Sequence, residues 1–392
     1  MTLKQQARVM LENQLIPFWS RLRDNKYGGY YGYMDYGLHV DKTAEKGCIL
    51  NSRILWFFSR CARDLDREDC LREAEHAYRF LMDHCLDRDQ GGVFWSLRYD
   101  GTPQDTTKHT YVQAFAIYAL SAYYEATGDR QALETAFELF QLIESRCRDK
   151  DGYLEAFAQD FSPASNEKLS ENGVMAQRTM NTLLHVFEGY AGLYQASRDE
   201  RVERAMHSIL RIYQEKIFDP VHCRQKVFFD LNYCSLIDLH SYGHDIESSW
   251  LMDWGTALLG KPELASKVSR VNQEMAETIY CRAYLDCSVL NECERGVDDT
   301  HRVWWVQAES VLGFLNAWEK TGQDQFREAA VNVWRYINET VTDRRPGGEW
   351  FWRVDENGLP DRTRPIVEPW KCPYHNGRMC LEILRRNWDV SC

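Results

Sequence analysis

An all-α (α/α)6 barrel of about twelve helices, joined by short β-hairpin loops, is the fold class this 392-residue chain predicts. Three observations predict it. Polar turns recur as Leu-Asp-Arg-Glu-Asp (65–69), Thr-Gly-Asp-Arg-Gln (127–131), Ser-Arg-Asp-Glu-Arg (197–201), Leu-Gly-Lys-Pro-Glu (259–263) and Thr-Gly-Gln-Asp-Gln (321–325), their starts 62, 70, 62 and 62 residues apart. Aromatic glycine turns recur between them. Helical apolar patterns alternate between two kinds, one apolar on a single face and the other on several.

The elements follow in order. Helical patterns are expected near 3–22, 43–64, 68–86, 109–126, 130–146, 176–197, 200–215, 244–258, 262–280, 301–320, 324–340 and 374–387. Each polar turn ends one helix with glycine or a polar residue and opens the next with Asp or Glu. The turns Lys-Tyr-Gly-Gly-Tyr-Tyr-Gly-Tyr (26–33), Gln-Gly-Gly-Val-Phe-Trp (90–95), Asp-Gly-Tyr-Leu (151–154) and Pro-Gly-Gly-Glu-Trp-Phe-Trp (346–352) read as short hairpins. The odd helices after the first carry one apolar stripe, as in Leu133, Ala136, Phe137 and Phe140, and form an outer ring. The even helices, such as Ile54-Leu55-Trp56-Phe57-Phe58 and Val303-Trp304-Trp305-Val306, are apolar on several faces and form an inner ring around a cavity. No Pro/Ser-rich or charge-block linker divides the chain, so residues 1–392 are expected to form one domain.

Composition narrows the function. A formal charge of −12 leaves no basic surplus to neutralise phosphates, which argues against nucleic acid or an anionic membrane as partner. No apolar run approaches a membrane span, and the first residues lack the apolar stretch of a signal peptide, so a cytoplasmic protein is expected. The 13 cysteines form no Cys-x-x-Cys pair, and Cys61, Cys70, Cys85, Cys147 and Cys380 fall within helical patterns, so reduced packing thiols are expected. Cys281, Cys287 and Cys293 recur every six residues, a spacing with no familiar zinc geometry. The 13 Trp, 21 Tyr and 17 Phe exceed what packing needs and suit a sugar-binding cleft.

The unusual polar residues gather on the even helices. Arg53 lies on the second, Tyr111 on the fourth, Asn181 and His185 on the sixth, His244 and Glu247 on the eighth, Arg302, Trp304, Trp305 and Glu309 on the tenth, His375 and Arg378 on the twelfth. His244 and His375 each follow turn-forming residues and open a helix, where the positive end of the dipole disfavours imidazolium. His240, His244 and Glu247 make a poor metal set, because Gly243 interrupts the helix and the His-Glu-x-x-His pattern is absent.

These residues carry a resemblance. Ile-Leu-Asn-Ser-Arg-Ile-Leu-Trp-Phe-Phe (49–58), His-Ser-Tyr-Gly-His-Asp-Ile-Glu (240–247), Arg-Val-Trp-Trp-Val-Gln-Ala-Glu (302–309) and Trp-Lys-Cys-Pro-Tyr-His-Asn-Gly-Arg-Met-Cys (370–380) resemble, in order and over nearly the whole chain, the bacterial cellobiose 2-epimerases of the N-acylglucosamine 2-epimerase superfamily. Asn51 is a departure, since some relatives carry histidine there, and it bears on substrate preference. The resemblance implies epimerisation at C2 of the reducing-end glucose of β-1,4-linked disaccharides, with no metal or redox cofactor. In that scheme His375 takes the C2 proton from the glucose-type epimer and His244 returns one to the opposite face, through an enediolate. Arg53 is then the candidate for stabilising the enediolate oxygen, His185 for ring opening, and Glu247 and Glu309 for orienting the imidazoles. Tyr111, Asn181, Trp305 and Trp370 become sugar contacts. Trp304 joins them with the reservation that adjacent helical residues do not share a face. The expected partner is a disaccharide and the expected assembly a monomer or weak homodimer.

Alternatives stay open at this stage. A monosaccharide epimerase of the mannose or N-acylglucosamine type, or an aldose–ketose isomerase, would use the same bases. A glycoside hydrolase would instead rely on Glu247 and Glu309 flanking the scissile bond, and a sugar-binding protein would need no catalysis.

Overall fold

The computed structural model describes residues 1–386 together with Trp388 and Val390. Its described residues form twelve helices: α1 (3–20), α2 (Cys48–Leu65), α3 (68–85), α4 (Thr110–Thr127), α5 (Arg130–Arg146), α6 (Met180–Ser197), α7 (200–217), α8 (Tyr242–Leu258), α9 (Pro262–Arg282), α10 (Trp304–Thr321), α11 (324–341) and α12 (His375–Arg385). Asn387, the last residue of the expected twelfth helix, lies outside the described residues.

Burial divides the helices as their patterns require. On α7 the buried side chains Val202, Ala205, Met206, Ile209 and Leu210 make one stripe, whereas on α4 every residue from Thr110 to Tyr123 is buried. A helix apolar all round needs neighbours on every side, and the even helices find them in each other. Around the ring α2 packs on α4, α4 on α6, α6 on α8, α8 on α10, α10 on α12 and α12 back on α2. At that closure Gly377 of α12 lies so close to Phe57 of α2 that a Cβ would overlap the ring. The odd helices pack outside, with α1 against α12.

The repeated turns behave as read. Left-handed residues Asp66, Gly128, Arg198 and Gly322 end α2, α4, α6 and α10, and the Asp129 and Asp199 side chains cap α5 and α7. The glycine turns form hairpins whose arms meet at Arg23 and Tyr30, Leu86 and Val93, Arg148 and Tyr153, and Thr342 and Trp350.

A second layer of pairing was not expected. The residues before each inner helix form short antiparallel ladders with a loop one repeat further on: Lys46 with Leu97, Lys108 with Phe157, Arg178 with Phe229, Leu239 with Glu294 and Arg302 with Val354. A bridge from Met34 to Val367 closes the series. This moves helix starts: α2, α6 and α10 begin at 48, 180 and 304, later than the expected 43, 176 and 301. Arg302 is accordingly corrected from helix to strand, where it is buried and donates to Ser288 Oγ at 3.0 Å. Other basic residues near inner-helix starts pair with an acid of the preceding hairpin, Lys46 with Asp24 at 2.6 Å, Lys108 with Asp87 at 2.9 Å, Arg178 with Asp149 at 2.5 Å and Lys371 with Glu349 at 2.5 Å. Hydrogen-bonded, and buried except for the partly exposed Asp149, these pairs fix how each hairpin presents its inner helix.

Among the described residues the cysteines are free thiols, including buried Cys61, Cys70, Cys85, Cys147 and Cys380. No described helix is long and apolar enough to cross a membrane.

Candidate active site

The first turns of the inner helices converge at one end of the ring. His375 is the first residue of α12 and His244 the third of α8. Both rings rest on the Trp305 indole at the start of α10, with centroids 4.8 Å away for His244 and 5.3 Å for His375. Gly243 does not interrupt α8 as expected. It lies within the first turn, and a Cβ there would overlap Trp305, so its bare backbone lets the indole reach His244. Trp304 also touches His375, edge to face at 5.4 Å, and lies against the Lys371 ammonium. Adjacent side chains diverge by about 100° around a helix, and His375 lies in the notch between them, so the two indoles share a neighbour without sharing a face. Only Trp305 is half-exposed, and Trp304 is buried behind the histidine.

The two imidazoles are held differently. His375 Nδ1 lies 2.7 Å from Glu309 Oε1, and Glu309 also accepts from Arg378 at 2.8 Å and from Trp250 Nε1 at 2.9 Å. His244 Nδ1 lies 2.7 Å from the Ser241 hydroxyl. Both rings are held neutral. Burial, followed by the nearby Arg378 and Arg53 charges, puts His375 well below the ordinary imidazole range, and burial, followed by His185, lowers His244 to about 3. The neutral lean expected from helix dipoles is therefore present, but burial and neighbouring cations are its main causes.

Below the histidines one guanidinium gathers three carboxylates. Arg378, fully buried, donates to Glu188 of α6, to Glu247 of α8 at 2.5 Å and to Glu309 of α10 at 2.8 Å, which ties four inner helices together. Glu188 escaped the sequence reading. It also accepts from Tyr374 and lies 2.8 Å from His185 Nδ1. Burial raises its carboxyl, but Arg378 and His185 outweigh that and bring it down to about 2, so His185 Nδ1 must carry the proton. A signal was available in the spacing His185-x-x-Glu188, two polar residues one turn apart on an otherwise apolar helix.

Glu247 differs from its expected role. It does not touch His244 and bonds Arg378 instead, while its Oε2 has no hydrogen-bond partner and lies 4.0 Å from His185 Nε2. Burial and the Glu309 charge push its carboxyl up to about 8. Glu247, Glu309 and His375 bring three potential metal-ligand atoms within 4.8 Å of one another. The cation among them is already a protein group, because Arg378 Nη2 bonds Oε1 of both carboxylates. His240 turns away to Asp245 at 2.8 Å and shares nothing with His244.

Arg53 of α2 also lies beside the Tyr374 ring. Its guanidinium donates to the Tyr111 hydroxyl at 2.9 Å and the Trp370 carbonyl at 3.4 Å, approaches Cys372 Sγ at 3.9 Å, and lies 4.1 Å from the Phe115 ring centroid and 4.7 Å from that of Tyr374. No carboxylate is among its hydrogen-bond partners. Burial works against the charge, and the phenols and the thiol outweigh it, so its pKa is raised. His185 stands edge to face with Tyr111 at 5.1 Å, and the half-buried Asn181 presents an Oδ1 with no partner.

Trp370 meets Tyr111 at 5.9 Å and Trp95 at 5.7 Å. Trp95 and the buried His109 beneath it, 4.7 Å apart, were not singled out from the sequence; Trp95 lies in a loop, and His109, expected to open the fourth helix, lies instead in the ladder just before it. Lys168 covers Trp95 at 4.9 Å and bonds Thr107 at 2.8 Å. Asn51 points elsewhere, clasping Tyr30 N at 3.1 Å and Gly47 O at 3.1 Å, so the expected bearing on substrate preference has no contact behind it.

Comparison with known proteins identifies the family. The sequence model of the N-acylglucosamine 2-epimerase (GlcNAc 2-epimerase) family matches residues 28–376. A cellobiose 2-epimerase of Eubacterium cellulosolvens is 49% identical over 397 aligned positions, covering 97% of this chain and 98% of that protein. The crystal structure of a sugar epimerase from a ruminal bacterium superposes with a TM-score of 0.98 at 44% identity, over 99% of this chain and 100% of that one. The structure of cellobiose 2-epimerase from Bacillus thermoamylovorans B4167 gives 0.95 at 43% identity, over 98% and 99%. With its twelve-helix ring and its paired histidines, the chain belongs to the N-acylglucosamine 2-epimerase family of isomerases, on the branch of the cellobiose 2-epimerases.

Proposed function

We propose that the chain inverts C2 of the reducing-end glucose of β-1,4-linked disaccharides, converting cellobiose to glucosyl-mannose and lactose to epilactose. With the sugar ring opened to the aldehyde, the carbonyl acidifies the C2 proton. His375 Nε2 takes it from the glucose-type epimer, the C2–H electrons form a C1–C2 double bond, and the carbonyl electrons move to O1. As the negative enediolate forms, His244, neutral at rest, takes up a proton from solvent and returns it through Nε2 to the opposite face of C2, and the carbonyl re-forms. Both rings begin and end neutral, the proton taken up at His244 being matched by the one His375 releases to solvent, and no electron is gained or lost.

The observation that carries this reading is the placement of His244 and His375 against one indole, from the first turns of two different inner helices. Arg53 supports it as a buried cation with no carboxylate on it, suited to charge developing at O1. His185, its Nδ1 proton fixed by Glu188, serves ring opening through Nε2. Trp305, Trp370, Tyr111 and Asn181 contact the sugars, while Trp304 backs His375. Hydrolysis fits less well, because Glu247 and Glu309 are bonded to the same guanidinium nitrogen and cannot flank a scissile bond. Free thiols suit a reducing, cytoplasmic setting.

The test is turnover of cellobiose and lactose in deuterated water, followed by NMR at C2. Deuterium at C2 of a mannose-type product is expected, and His244→Ala and His375→Ala should each abolish turnover with folding preserved. Release of monosaccharide, formation of ketose, or full activity in either variant would overturn the reading.

A further inference from the structure

The two imidazoles share an indole but not a kind of support, and the difference traces to one serine. Ser241 is the residue before α8, the N-cap position, where a serine hydroxyl usually accepts from the backbone of the first turn. It does not do so: the helix has no side-chain cap, whereas Thr179 in the same position of α6 accepts from Thr182 N at 3.0 Å. The Ser241 backbone is already fixed by its ladder partner Glu292, and its hydroxyl, buried at 6% exposure, has His244 Nδ1 as its hydrogen-bond partner at 2.7 Å. A cap position has been given over to an imidazole.

The chemistry of the two supports is unequal. Glu309 already takes protons from Arg378 and Trp250 and can only accept from His375 Nδ1, so a neutral His375 keeps its Nε2 lone pair free. A hydroxyl can donate as well as accept. Ser241 accepts from Nδ1–H both in the imidazolium and in the neutral ring left when Nε2 gives its proton to C2, so Nε2 stays the reacting nitrogen in either direction. It supplies no negative charge to hold the imidazolium. His375 is thus braced by a carboxylate, and His244 is oriented by a neutral hydroxyl that keeps Nδ1–H in place through its change of protonation.

We infer that Ser241 is a positioning residue for the reaction, acting through His244 alone and governing proton exchange on the mannose-type face of C2. This rests on the two-histidine scheme above. Removing the hydroxyl should slow the His244 half of the cycle and leave the His375 half intact, so an enediolate formed by His375 returns to its starting epimer more often than it goes on.

The experiment compares the wild-type protein with Ser241→Ala and Ser241→Thr in deuterated water, starting separately from each purified epimer of the disaccharide. Deuterium at C2 of recovered substrate and the yield of inverted product are read by NMR. In Ser241→Ala, epimerisation should fall roughly 10- to 100-fold, the range for loss of a residue that orients a functional histidine. The ratio of exchange in recovered substrate to inversion should rise from the glucose-type epimer and fall from the mannose-type epimer. Ser241→Thr, which keeps the hydroxyl, should restore both ratios. Equal slowing of exchange and inversion in both directions would assign Ser241 a merely structural role and overturn the inference, as would unchanged rates in Ser241→Ala. Absence of any solvent deuterium at C2 in the wild-type protein would instead defeat the two-histidine scheme, a result separable from either of these.

Discussion

Arg378 and Arg53 are both buried guanidiniums of the inner ring, and they are treated in opposite ways. Arg378 is surrounded by Glu188, Glu247 and Glu309 and stacks within 4.2 Å of the Tyr374 ring centroid. Arg53 has aromatic faces, a phenol, a carbonyl and a thiol about it and no carboxylate in its hydrogen bonds. A buried charge is tolerated when it is paired, and the unpaired one is costly. The first arginine therefore holds helices together, while the second keeps its charge available to whatever negative group enters beside His375 and Tyr111.

Replacing each arginine by methionine, which keeps much of the volume, should separate these roles. Arg378→Met strands three carboxylates in the core. Stability should drop by about 3–5 kcal/mol, the usual cost of removing one partner from a buried ion pair, read as a large fall in the urea midpoint. Arg53→Met removes a cation that no carboxylate balances, so folding stability should change by less than about 1 kcal/mol. Its kcat should fall by about 10²–10³, the loss expected for a donor that stabilises a developing oxyanion, with KM much less affected. If Arg53→Met unfolded as Arg378→Met does, the distinction between the two would be lost.

The distinction also marks how far the sequence could be read. Helix periodicity, the polar turns and the glycine hairpins show the ring because they depend on local patterns of 3.6 residues and on turn chemistry. The ladders between repeats are invisible to such patterns, since each is only two or three residues long, and Arg302 was placed on the wrong element for that reason. At the site, His244, His375, Arg53, His185 and Glu309 stand out as polar residues on apolar helices, and the structure brings them to one end of the ring. Partnership is another matter. That Glu309 rather than Glu247 holds one of the paired imidazoles depends on a contact between helices far apart in the chain, whereas Ser241 on His244 and Glu188 on His185 lie three residues from their partners and depend on rotamers that spacing does not fix. Arg378 was noted on the twelfth helix, but nothing local says that it meets three acids.

The smallest expected effect concerns the carboxylates themselves, and its sign separates Glu247 from its neighbours on Arg378. Glu188 is held down at about 2, so its contribution to stability is present above its ordinary value of 4.5 and is lost as pH falls toward 2. The depressed histidines have the same sense, contributing above the ordinary 6.5 and losing it as pH falls toward the value of about 3 held by His244. Glu247, raised to about 8 by burial and by Glu309, has the opposite sense: the folded protein keeps its proton while the unfolded chain loses it, so stability is fully present below 4.5 and declines as pH rises to 8. Glu247→Gln keeps a neutral partner for Arg378 and removes that titration. The stability difference between wild-type and variant, measured from urea midpoints, should fall between pH 5 and 8 with a slope of at most about 1.4 kcal/mol per pH unit and level off above that. The slope belongs to Glu247 and Glu309 together, since both accept from Arg378 Nη2, and the Glu247 Oε2 atom has no hydrogen-bond partner. A pH-independent difference would mean that Glu247 is ionised throughout and that Arg378 carries three full negative charges, making its contrast with Arg53 sharper still.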